Sequence, residues 1–124
     1  MKNMKENVVR EKSFAFALRI VKLFKYLTEE KKEYILSKQL IRSGTAIGAL
    51  QSESENAESE ADFIHKLAIA QKECNETLYW LKLLYYSDYL DETAFQSIYY
   101  DAEELKRIIT AIVRTTKERG KKGK

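Results

Sequence analysis

Proline is absent from the 124 residues, and glycine occurs only four times, as the pairs Gly44/Gly48 and Gly120/Gly123. An all-β fold needs turn residues at short, regular intervals, so this chain does not fit one. The lack of proline also removes the commonest helix breaker and leaves long stretches in which a helix can run. Cys74 is the only cysteine and His65 the only histidine. These exclude a disulfide framework and leave too few soft ligands for a structural zinc site. No run approaches the roughly 18 apolar residues of a membrane span, and MKNMKENVVREK at the N-terminus has no signal-peptide core. A cytoplasmic protein with no membrane role is the expectation.

What is present is core material: 44% of residues are hydrophobic and 33% charged, which fits one folded domain and not a disordered chain. Net charge is only +3, but it is unevenly spread. Residues 1–26 carry seven basic groups against Glu6 and Glu11, and residues 114–124 carry six against Glu118, so each end is +5. Between them QSESENAESEAD, residues 51–62, holds five carboxylates and no base. Along the chain, an acidic zone divides two basic ends.

Apolar spacing predicts four helices and an all-α, antiparallel up-down four-helix bundle over residues 1–118, followed by a basic flexible tail over 119–124. The first helix, over 13–27, has a core stripe of Phe16, Ile20, Leu23 and Leu27 beside a second stripe of Phe14, Ala17, Val21 and Phe24, with Lys12, Arg19, Lys22 and Lys25 opposite. The second, over 33–56, repeats Leu36, Leu40, Ser43, Ile47 and Leu50. Ser37, Gly44 and Gly48 line its flank. Each helical glycine costs about 0.8–1 kcal/mol relative to alanine, so this small-residue face marks a groove where another helix comes close. A phosphate loop is excluded, since no strand precedes the glycines and the Lys-Ser/Thr signature is missing.

The third helix follows Ser59, which forms a capping-box pattern with Asp62, and its core stripe runs from Phe63 through Leu67, Ala70, Cys74, Leu78 and Leu81 to Tyr85. Its end, LYWLKLLYY, is apolar all round. Tyr79, Trp80, Leu83 and Tyr86 therefore point away from the core and form an oligomer interface. Asp91 caps the fourth helix, whose core face carries Phe95, Ile98, Ala102, Leu105, Ile109, Ile112 and Val113. Gly120 and Gly123 end regular structure.

Catalytic constellations are missing. A di-metal bundle needs Glu-x-x-His pairs on facing helices, and this chain has one histidine. No arginine stands between Arg42 and His65, so the arginine–histidine pair of helical RNases is absent too, and Cys74 falls in a core stripe without a histidine partner. No catalytic residue, metal, cofactor or small-molecule substrate is assigned, and an enzyme is not expected. The remaining signal is basic residues interleaved with aromatics: Tyr100, Arg107 and Arg114 at seven-residue intervals, then Lys117, Arg119, Lys121, Lys122 and Lys124. Cations neutralise phosphates and tyrosines stack bases, which suits RNA. A solvated charged face with packed tyrosines is the alternative.

One segment carries a resemblance. YILSKQLIRSGTAIGA followed by DFIHKLAIAQKECNETLYWLKLL, with KSFAFALRIVKL before and LKRIITAIVRTTK after, closely resembles the four-helix-bundle family named after open reading frames in intervening sequences of bacterial 23S rRNA genes. Its most specific piece runs from Arg42 to Ala49 and includes both glycines of the groove. Leu50 and Gln51 depart from the family's usual Asn and Ile. The resemblance implies no activity. Similar bundles, the accessory variability determinant proteins of diversity-generating retroelements, form basic pentameric barrels that bind a reverse transcriptase and nucleic acid. The apolar surface of helices one and three makes a homo-oligomer the expectation, a pentamer by that likeness alone, and the basic residues make it a non-enzymatic scaffold that binds RNA or an RNA-binding protein partner. The competing expectation is a protein-interaction module with no nucleic-acid role, docking its partner on the aromatics of helix three.

Overall fold

The computed structural model describes residues 4–122. It has four helices, α1 (Met4–Glu29), α2 (Leu36–Ser54), α3 (Glu60–Tyr86) and α4 (Glu92–Lys122), and no strand among the described residues. Each helix packs on the two neighbours next to it in a ring, α1 on α2 and α4, α3 on α2 and α4, and the backbones of the diagonal pairs stay farther apart. Contacts between neighbours pair rising with falling residue numbers: Arg10 with Glu55, Ser43 with Thr77, Gln71 with Thr110, Lys12 with Glu104. The antiparallel up-down bundle expected from apolar spacing is the fold.

The core follows the predicted stripes. Phe16, Ile20 and Leu27 of α1, Leu40 and Ile47 of α2, Leu67, Ala70, Cys74 and Leu81 of α3, and Ala102, Leu105 and Ile109 of α4 are buried together. Each large one contributes about 1.5–3 kcal/mol by leaving water. The second α1 stripe behaves differently: Phe14 is 66% exposed, and Leu18 beside it 57%. Ser43 and Thr77, both fully buried, place their hydroxyls 2.9 Å apart and tie α2 to α3 through the core.

Helix ends depart from the sequence expectation for identifiable reasons. α1 starts at Met4 and not near residue 13, and the buried Val9 anchors the added turns. It stops without glycine, because Lys32 takes the left-handed conformation (φ 55°) while the Glu33 N–H bonds to the Leu27 carbonyl at 2.9 Å. Asp88 (φ 68°) does the same after α3, with the Tyr89 N–H on the Leu84 carbonyl. α2 begins at Leu36 and not at Glu33, since the Glu33 carboxylate accepts from the N–H groups of Ile35, Leu36 and Ser37 and so caps the helix from outside. Ser59 caps α3 as predicted, accepting from the Asp62 N–H, whereas the return bond from Asp62 goes to the Glu58 N–H and not to Ser59. Asp91 caps α4 through the Ala94 N–H at 2.7 Å.

Gly120 does not end α4, which continues to Lys122. A Cβ on Gly120 would stand 2.8 Å from Glu60 Oε1, the free end of a long exposed side chain that can swing aside, so this glycine neither stops the helix nor answers a close backbone approach. Residues 119–121 are therefore helical.

Candidate nucleic-acid interface

Residues seven apart on a helix sit two turns, about 10.5 Å, along one face, and α4 presents Tyr100, Arg107 and Arg114 in this way. The Arg107 guanidinium carbon lies 5.9 Å from the Tyr100 ring centroid, a cation–π contact worth about 0.5–1 kcal/mol at an exposed site. Arg107 and Arg114 share a groove of about 520 Å³ with Glu103, Lys106, Thr110 and Ala111 of α4 and Leu78 of α3. Lys106 and Glu103 are the members that sequence reading passes over. Lys106 immediately precedes Arg107, but a 100° step on the wheel turns it toward α3. Only the neighbour's position makes it part of the site.

Five cations elsewhere are held in ion pairs, while others, among them Lys22, Lys25, Lys38, Lys72 and Lys82, are exposed and form none among the described residues. Lys12 pairs with Glu104 at 3.1 Å, and Arg19 pairs with Asp101 at 2.6 Å and also donates to Ser97 Oγ. Those residues stitch α1 to α4, so the basic face of α1 is no free surface at these positions. Arg10 pairs with Glu55, Lys66 with Glu53, and Arg42 with Glu73 and Glu76. The acidic run does not separate the basic ends in space. Folding brings it to one pole, with Arg10 against Glu55 and Gly120 against Glu60. By contrast, Lys106, Arg107 and Arg114 form no ion pair among the described residues. Lys117, Arg119 and Lys121 are exposed on the same helix beyond them. Lys122 closes the helix, and Lys124 lies outside the described residues.

The aromatic end of α3 is partly used inside the chain. Trp80 packs against the core, with its ring edge-on to Tyr79 at 5.1 Å, and Leu83 is half-buried. Of the four residues expected at an oligomer interface, Trp80 and Leu83 are thus partly covered by the chain itself, and Tyr79 (58% exposed) and Tyr86 (75%) stand out from it. Tyr85 stacks on Phe95 of α4 at 4.4 Å. Of the small residues on α2, Gly44 meets the Ile20 side chain and Gly48 the Ser13 backbone, while Ser37 is buried with its hydroxyl donating to the Glu33 carbonyl. The close contact expected for Ser37 is thus a local capping bond. Gln51, one of the two departures from the family pattern, is buried and donates to Glu55 at 2.7 Å.

Among the described residues no three His, Cys, Asp or Glu side chains converge as a metal site would need, and no helix is long and apolar enough to cross a membrane. His65 is exposed on α3. Burial pushes the Cys74 thiol up to about 12, which keeps it protonated and packed at neutral pH. What sets the α3–α4 groove apart is that three cations without an ion pair line one cavity together.

None of the proteins of curated function matches the chain. The chain is 50% identical to a protein of unknown function from the S23 ribosomal protein family of Bacteroides thetaiotaomicron VPI-5482, whose crystal structure superposes with a TM-score of 0.89 over 90% of this chain and 99% of that one. The family model for the 23S rRNA-intervening sequence protein matches residues 5–111, a span from α1 into α4 that takes in Arg107 and stops short of Arg114. With the bundle and this match in hand, the chain belongs to the 23S rRNA-intervening sequence protein family.

Proposed function

We propose that the protein is a non-enzymatic, oligomeric helical scaffold that binds RNA, alone or within an RNA–protein complex, through the cations of the α3–α4 groove. The observation that carries this is the gathering of Lys106, Arg107 and Arg114 in one cavity, none of them in an ion pair, next to an exposed tyrosine that Arg107 overlies. Unpaired guanidinium groups beside an exposed tyrosine are what a phosphate chain with accessible bases would meet. Phe14, Leu18, Tyr79 and Tyr86 leave apolar surface outside the bundle, which supports self-association. A subunit number of five rests on the resemblance to the retroelement accessory proteins. Titration of labelled RNA at several salt concentrations tests the proposal: binding that weakens steeply with salt is expected, and no binding even at low salt would defeat it. A protein-interaction module is favoured instead if protein capture depends on Tyr79 and Tyr86 and RNA is not bound.

A further inference from the structure

Resting on the RNA-binding proposal, we infer that the α3–α4 groove takes one unpaired base of a single strand and favours bases that carry an exocyclic amino group. Three features of the groove point there. Its cations do not form a continuous field: Leu78 and Ala111 place apolar surface among Lys106, Arg107 and Arg114. A duplex presents sugar and phosphate to such a surface and keeps its bases stacked inside, so the apolar lining would go unused; a splayed base buries a flat apolar face on it. Tyr100, 57% exposed, stands beside Arg107 at 5.9 Å, so one ring and one guanidinium plane offer stacking surfaces at the groove's edge. Glu103 is the third feature. It is the only carboxylate in the groove, and it forms no ion pair with the three cations there.

A carboxylate is a poor neighbour for phosphate, but it accepts hydrogen bonds from an amino group, as Glu does from cytosine N4. Uracil has no amino group, and its one donor on that edge, N3–H, lies between two carbonyl oxygens that Glu103 repels. The groove therefore divides its work: Arg107 and Arg114 hold flanking phosphates, Leu78 and Tyr100 receive the base plane, and Glu103, one turn from Tyr100, reads the base edge.

The test is fluorescence anisotropy with oligocytidine, oligouridine and an RNA duplex of equal length at one fixed salt concentration. Wild type is expected to bind oligocytidine about tenfold more tightly than oligouridine, the discrimination of one good base-edge contact. It should also prefer oligocytidine to the duplex. Glu103→Ala removes the selecting acceptor and a repulsive charge together, so it should raise affinity for oligouridine and erase the preference. Tyr100→Ala should weaken both single strands about fivefold or more and leave the duplex unchanged. Equal binding of all three RNAs by wild type, or a preference that survives Glu103→Ala, overturns the base-reading inference while leaving RNA binding standing. Failure of all three RNAs to bind at low salt removes the RNA-binding proposal with it.

Discussion

Ile20 occupies the space in which a side chain at position 44 would begin: a Cβ built on Gly44 stands 2.8 Å from Ile20 Cγ1 and 2.9 Å from Cγ2. Both residues are fully enclosed where α1 and α2 cross, so the overlap cannot be relieved by swinging Ile20 into solvent. Gly44→Ala gains about 0.8–1 kcal/mol of helix propensity. Overpacking at a closed site costs about 1–3 kcal/mol, and a net loss of stability is the expected result. Trimming the neighbour should offset it. In the Gly44→Ala/Ile20→Val double variant, urea denaturation should show less destabilisation than the two single changes added together, by about 0.5 kcal/mol or more.

Glu33 makes a prediction about acid. Burial pulls its pKa up, but the N–H groups of Leu36, Ser37 and Ile35 and the Ser37 hydroxyl outweigh that, and the folded carboxyl titrates below its ordinary value. Stability from this cap is complete above the unfolded pKa of about 4.3. It is lost as the pH falls through the lower folded value. Glu33→Gln should therefore cost about 1–2 kcal/mol near neutral pH, with the deficit relative to wild type shrinking in acid, as followed by denaturation at several pH values.

The α1–α4 seam separates stability from binding. The Arg19 and Asp101 side chains are each more than a third exposed, 40% and 38%, so solvent screens their 2.6 Å contact. Arg19→Ala should lower stability by no more than about 1 kcal/mol and leave RNA affinity unchanged, read by thermal melting and by anisotropy on the same preparation.

Assembly is expected to depend on the tyrosines that remain outside the core. Tyr79→Glu with Tyr86→Glu should lower the mass measured by light scattering while circular dichroism stays helical. Trp80→Glu should instead lose helicity, because that ring packs against the core.

Apolar spacing makes the four helices legible, since a 3.6-residue period needs no knowledge of what lies across the bundle. Helix ends are harder to read. Lys32 and Asp88 take left-handed turns that are usually reserved for glycine, Glu33 caps from three positions before α2 begins, and Gly120 sits inside a helix that runs on to Lys122. The seven-residue spacing of Tyr100, Arg107 and Arg114 is legible for the same reason as the helices. The use of Arg19 and Lys12 in ion pairs is not, because their partners are 82 and 92 positions away. Nor is the gathering of the acidic run and the basic ends at one pole, which follows only from the up-down path. Trp80 shows the opposite error: an all-apolar stretch points to an oligomer, but the same ring also fits an intramolecular pocket.

Phosphate binding by the groove cations is read most directly from the salt dependence of single-stranded RNA binding in matched variants. On single strands each phosphate contact contributes about −0.7 to the slope of log affinity against log salt concentration. Arg107→Ala with Arg114→Ala should flatten the wild-type slope by about 1.4, two contacts' worth, whereas Lys12→Ala with Arg19→Ala should leave it unchanged. Equal flattening by both pairs, or a wild-type protein that binds no RNA at low salt, would contradict the account.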